Sequence, residues 1–239
     1  MDSRETERLI MGLEPRQFPA DEHVQAALVS LQDAVAMFQS VRYALVEAQA
    51  HLAYYGSDND GNPTPAAQFY AHYYIDDAYL RLPRAADLVA NALIEYLEIP
   101  RKDLEQEARA PGGLSHSLAR YLSRHLQDST IARAFQRLYD SDDWRFVVAH
   151  REAWLRGQLI RIQGAGLAHS RQVGWDILEE QPIERAAREF GSLMVNPVVR
   201  RSQLEYDLPV LFARSKGGYN AMVTLLHTVY EGLARSAKT

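Results

Sequence analysis

The stretch VQAALVSLQDAVAMFQSVRYALVEAQAHL, residues 24 to 52, decides the fold. Val24, Leu28, Leu31, Val35, Phe38, Val41, Leu45, Ala48 and Leu52 recur at steps of three and four without a miss, which places them on one stripe of a long amphipathic helix. The stripe ends at GSDNDGNPTP, residues 56 to 65, where turn formers cluster and Pro65 suits the first turn of a new helix. So short a turn sends the next helix back antiparallel. Its stripe is His72, Ile75, Tyr79, Leu82, Ala86, Val89, Leu93 and Tyr96, and Pro83, which lacks a backbone donor, predicts a kink near residues 81 to 84.

Beyond a second break at residues 100 to 113, Leu114, Leu118, Tyr121, His125, Ala132 and Phe135 predict a third helix. Asp140, Ser141, Asp142 and Asp143 then supply caps and dipole-favourable charge for a fourth, WRFVVAHREAWLRG, residues 144 to 157. After Gly157 the period falls to two. Ile160 and Ile162, then Val173, Trp175 and Ile177, alternate with polar residues or glycine across a connection containing Gly164 and Gly166, and predict a small β-hairpin. A short helix is expected after Pro182. Leu208, Leu211, Ser215, Tyr219, Met222, Leu226, Val229 and Leu233 predict a closing helix with Asp207 as its cap and Gly217 and Gly218 as a weak middle. The expected fold is therefore all-α, an antiparallel bundle of four to six helices with a β-hairpin insertion. It forms a single domain over 1–239, with a core at roughly 20–157, an elaboration at 158–206 and a closing helix at 207–236.

Composition narrows the function classes. Of 239 residues 47 % are apolar and 24 % charged, the balance of a soluble globular chain. A net charge of −5 argues against an all-over basic coat for duplex nucleic acid and leaves room for a local basic cleft. Only Lys102, Lys216 and Lys238 are lysines among the 26 basic residues. The absence of cysteine excludes disulfides, thiolate nucleophiles, iron–sulfur clusters and cysteine-bound zinc. No apolar run approaches the ~18 residues of a membrane helix, and MDSRETERLIMGLEP lacks the plan of a signal peptide, so a cytoplasmic protein without a membrane partner is expected.

The first chemical candidate is Arg145 with His150, in DDWRFVVAHREAW. With 23 arginines and 8 histidines, chance alone predicts roughly 0.8 pairs at this spacing, and the chain has two, because Arg120 and His125 also fit. Context separates them. His125 lies on the apolar stripe of the third helix and reads as a core histidine, whereas Arg145 opens a helix behind an acidic cap and His150 shares a partly buried face with Val147 and Trp154. The pair, together with AHYYIDDAYLRLPRAADL on the second helix and RFVVAHRE opening a later one, resembles the HEPN superfamily over roughly residues 20 to 157.

That resemblance implies a dimeric helical bundle that handles RNA. It would act either as a metal-independent endoribonuclease of a toxin, defence or RNA-processing system, with an antitoxin or other partner protein, or as a catalytically silent binding or assembly module. Two positions differ from the family pattern: Phe146 follows the Arg where catalytic members often carry a polar residue, and Glu152 stands where members controlled by tyrosine nucleotidylation carry Tyr. The chemistry itself asks for a base of near-neutral pKa at the 2′-hydroxyl and a fixed cation for charge on the phosphoryl oxygens. His150 and Arg145 suit these roles, with Asp76, Asp77 and Arg151 as auxiliary residues and no cofactor. Residues five apart on a helix point about 140° from each other, so either the first turn is distorted or two copies pool their pairs.

A second candidate is a metal-dependent bundle enzyme. Glu47 and His51, and His72 and Asp76, are each four apart on successive helices and could present two His–carboxylate pairs at similar heights, although neither has the Glu-x-x-His spacing of di-iron bundles. The favoured expectation is that no metal is held. Tyr54, Tyr55, Tyr70, Tyr73, Tyr74 and Tyr79 crowd the same region, as core or interface residues or as platforms for bases. No Walker loop, dinucleotide fingerprint, nucleophile elbow or HExxH occurs.

Overall fold

A computed structural model describes residues 2–18, 21–54, 64–105, 113–155, 160–162 and 204–236. Among them are eight α-helices: α1 (Ser3–Met11), α2 (Glu22–Ala53), α3 (Pro65–Tyr96), α4 (Arg101–Glu105), α5 (Gly113–His125), α6 (Thr130–Asp140), α7 (Asp142–Leu155) and α8 (Leu208–Ser236). The protein is all-α in character. Two three-residue strands, β1 (Ile160–Ile162) and β2 (Leu204–Tyr206), pair in parallel with Ile160 opposite Leu204. No described helix is long and apolar enough to cross a membrane.

Several expectations are corrected. The third helix is two, because Ser129 ends the connection after α5 and its hydroxyl accepts from the Ala132 amide to start α6. His125 therefore sits at the last position of α5, exposed, with its ring 4.4 Å from that of Tyr121, and is not a core histidine. The helix α3 continues past Pro83, which lies inside it, so the expected kink does not end the helix. Ile160–Ile162 is a strand as its alternation suggests, but its partner is distant and parallel, which a tight turn cannot join. The expected second strand at 173–177 and the helix after Pro182 lie outside the described residues.

The chain divides into two compact units, and α2, α3, α7 and α8 each contribute to both. The first comprises Met1–Arg42, Ala78–Val148 and Arg214–Thr239. There Leu31, Val35, Phe38 and Val41 of α2 are buried, as are Leu82, Val89 and Leu93 of α3 and Met222, Leu226 and Val229 of α8. His23 bonds Glu95 while Asn91 donates to Ser30, so numbering rises along α2 as it falls along α3: the two segments are antiparallel. Phe38 stacks on Tyr219 at 4.2 Å. Helix α1, a polar lead-in by its composition, is held by Glu7, whose buried carboxylate takes two bonds from Arg42 at 2.7 and 2.8 Å. Burial pushes that carboxyl above the usual range despite the guanidinium beside it.

Two glycine contacts shape this unit. Gly113 takes φ +79°, and a Cβ there would lie 2.8 Å from the Asp87 carboxylate that receives the Ser115 amide and hydroxyl at the start of α5. Gly218 packs where a Cβ would meet Val147 Cγ2 at 2.7 Å, and Val147 is fully buried. Helix propensity alone would reward Gly218→Ala by ~1 kcal/mol. Overpacking against a valine with nowhere to go should outweigh that gain, for a net loss of about 1 kcal/mol in chemical denaturation. A more stable Gly218→Ala protein would show that α7 and α8 are not in close contact here.

The second unit comprises Tyr43–Asp77 and Ala149–Ala213. Its core contains Ala44, Leu45 and Ala48 of α2, Ala67, Ala71 and Ile75 of α3, Ala153 of α7, and Leu208 and Leu211 of α8. Most of these are small, so the helices can approach closely. Among the described residues of this unit, the polar side chain buried with them is His150.

Candidate functional site

Helix α7 carries both candidate residues, and its start is built as the acidic run suggests. The Ser141 hydroxyl accepts from the Trp144 amide, and Asp142 and Asp143 occupy the first turn, where negative charge meets the helix dipole. Arg145 follows on the outside. Its side chain is 64 % exposed and donates to Asp142 at 2.5 Å, a solvent-facing pair of little energetic weight. Phe146 turns toward Tyr79, with ring centroids 6.0 Å apart, and the Arg214 guanidinium lies 5.8 Å from its ring. Arg214 also donates to Asp143 at 2.7 Å, and that pairing holds its guanidinium above the usual range. The residue after Arg145 is thus committed to packing.

His150 has a different environment. Its side chain is 2 % exposed, its Nδ1 is buried, and its Nε2 lies 3.1 Å from Asp76 Oδ1 on α3. His72, one turn before Asp76, brings its own Nε2 to 3.4 Å from the other carboxylate oxygen. That contact is an ion-pair distance without hydrogen-bond geometry, so His72 Nε2 lacks a hydrogen-bond partner among the described residues. One carboxylate therefore stands between two imidazoles, at the buried faces of α3 and α7.

Burial lowers the pKa of His72, the Asp76 charge raises it, and His150 lowers it again, with a net shift downward. A histidine with a lowered folded pKa is protonated first in the unfolded chain. Stability should therefore fall as pH drops through about 6.5 and level off below the folded value. His116, lowered by burial and by Arg120, acts in the same sense, whereas the exposed His23, raised by Glu95, acts in the opposite one. Melting curves between about pH 7.5 and 5.5 should show a fall that His72→Gln flattens; an identical slope in the variant would mean that His72 stays solvated.

The other sequence candidates disperse. Asp77 is half-buried beside Asp76, and Arg151 lies 3.9 Å from its neighbour Glu152. His51 stacks on Tyr70 and Tyr74, with centroids 5.2 and 5.8 Å apart, while His72 and His150 both meet Asp76. The set Glu47, His51, His72 and Asp76 does not assemble, and among the described residues no group of three or more His, Cys, Asp or Glu is placed to hold a metal ion. Tyr79 is buried, whereas Tyr54 and Tyr73 are exposed.

The structure thus joins Arg145 to Asp142 and His150 to Asp76. Asp76 as a partner of His150 was within reach of sequence reasoning; closure of the ring from solvent was not. Comparisons with protein-family models, curated proteins and solved structures find no match for this chain.

Proposed function

We propose that this chain is a HEPN-like helical module that binds RNA without cutting it. The observation that supports the reading is the environment of His150. A general base must come within hydrogen-bond reach of the 2′-hydroxyl, directly or through one water. An imidazole that is 2 % exposed and bonded through Nε2 to Asp76 has no such reach. Arg145, exposed and held by a carboxylate it can exchange for a phosphate, keeps the ability to bind a backbone.

The test uses the full chain with single-stranded RNA in EDTA. No cleavage and no 2′,3′-cyclic phosphate should form, while fluorescence anisotropy should report binding that weakens with salt. Arg145→Gln should reduce the salt slope by about 0.7, the loss of one phosphate contact on a single strand. Binding absent in the wild type would favour a protein-assembly module instead.

A second reading, a metal-independent endoribonuclease of a toxin, defence or RNA-processing system, is favoured by one feature. Asp76 on His150 is the carboxylate–imidazole pairing that orients a catalytic base. It requires the ring to swing out, and a two-fold dimer to pool cations and bases. Cleavage that persists in EDTA and disappears in folded Arg145→Ala and His150→Ala proteins would overturn the binding-module reading in favour of this one.

A further inference from the structure

A cavity of about 230 Å³ opens between α5 and α6, lined by His116, Arg120, Ser123 and Arg124 from one helix and Gln136, Tyr139 and Asp140 from the other. The α5 residues stand at steps of four, three and one, a single face of the helix, and the α6 residues at steps of three and one. We propose that this groove is a binding site for a phosphate monoester, with the phosphoryl group held by the Arg120 and Arg124 guanidiniums. The proposal rests on residues of the first unit alone and is independent of how α7 is read.

Three features carry it. First, the wall carries two arginines, whose guanidiniums suit paired N–H donation to a tetrahedral oxyanion, with the Gln136 amide as a further donor; the Ser123 hydroxyl is spent on the Ala119 carbonyl at 2.8 Å. Second, one side of the groove is preorganised. Ser115 donates to Asp87 at 2.8 Å and sits 2.7 Å from the Tyr139 hydroxyl, so the chain Asp87–Ser115–Tyr139 fixes the phenol ring, and the His116 ring lies against it at 4.8 Å. Burial and the Arg120 charge hold His116 below its usual pKa, so at neutral pH it offers an N–H rather than a charge. Third, the size suits a small ligand. At about 230 Å³ the cavity lies below the ~300 to 1,000 Å³ of sites that engulf a drug-sized ligand, so it fits one phosphoryl group with part of what carries it.

Asp140 is the carboxylate among the lining residues, and its charge opposes an anionic ligand. That gives the test a variant of each sign. The full chain is titrated calorimetrically with inorganic phosphate, with AMP and with adenosine at low ionic strength. Phosphate and AMP should bind once per chain and adenosine should not. Arg120→Gln and Arg124→Gln should each weaken binding by about tenfold or more, the loss of a charge-assisted contact. Asp140→Asn should tighten it. Arg124 is exposed, so its variant should fold whatever becomes of Arg120→Gln. AMP binding far tighter than phosphate would identify a nucleotide as the carrier, and equal affinities would identify the phosphoryl group alone as what is read. No binding at millimolar phosphate or AMP, or binding that neither arginine variant weakens, would overturn the proposal.

Discussion

His150→Ala should lower the melting temperature by about 6 to 12 °C, while His125→Ala should leave it unchanged. The first change removes a ring that is 2 % exposed and takes away the Nε2 partner of Asp76. Losing a hydrogen bond to a carboxylate costs ~1.5 to 3 kcal/mol, and truncating a buried ring leaves a cavity that adds to it. Asp76 keeps 23 % of its side chain in solvent and has His72 at 3.4 Å, so water and the second imidazole recover part of that loss, and about 3 kcal/mol is expected. For a chain of this size each kcal/mol moves the midpoint by ~2 to 4 °C. His125 rests against Tyr121 at an exposed helix end, where substitutions stay within ~0.5 kcal/mol. Equal effects of the two changes would show that His150 is not anchored.

Trp144→Ala should be more damaging, by about 4 kcal/mol. Trp144 is fully buried at the start of α7, edge-on to Tyr139 at 6.2 Å, and truncation of a buried tryptophan leaves a cavity that close-packed helices cannot fill. Trp144→Phe should cost much less. The indole N–H has no hydrogen-bond partner among the described residues, so removing it relieves an unmet donor while a phenyl ring keeps most of the buried surface. Denaturant titrations of the two variants give the comparison directly, and a phenylalanine variant as unstable as the alanine one would mean that the indole N–H has a partner.

Much of the fold was legible because the long stripes are uninterrupted. Leu31, Val35 and Phe38, like Leu82, Val89 and Leu93, are buried at the positions their spacing marks. The third helix was misread because Gln127, Asp128 and Ser129 break it without glycine or proline, and Ala132 and Phe135 happen to resume the same steps. Helix α1 escaped notice because only nine residues form it and Arg42, far away in sequence, supplies the partner of its buried Glu7. The strand at 160–162 was visible in its alternation, but pairing is non-local, and nothing nearby names Leu204 as the residue opposite Ile160.

At the candidate site the same limit applies. Acidic capping and the exposed position of Arg145 follow from its place in the first turn of α7. His150 lies three residues from the buried Val147 and four from the exposed Trp154, so its own helix leaves its burial open. A buried imidazole is tolerable only where a polar partner waits for it, and here that partner is Asp76, 74 residues earlier.

Whether His150 holds α7 to α3 through Asp76 is measured by a double-mutant cycle on Asp76→Asn and His150→Gln, read by denaturant unfolding. The two substitutions should be coupled by about 1 to 3 kcal/mol, the double variant being less destabilised than the sum of the singles. Losses that add to within about 0.5 kcal/mol would contradict this anchoring, because the imidazole and the carboxylate would then be acting independently.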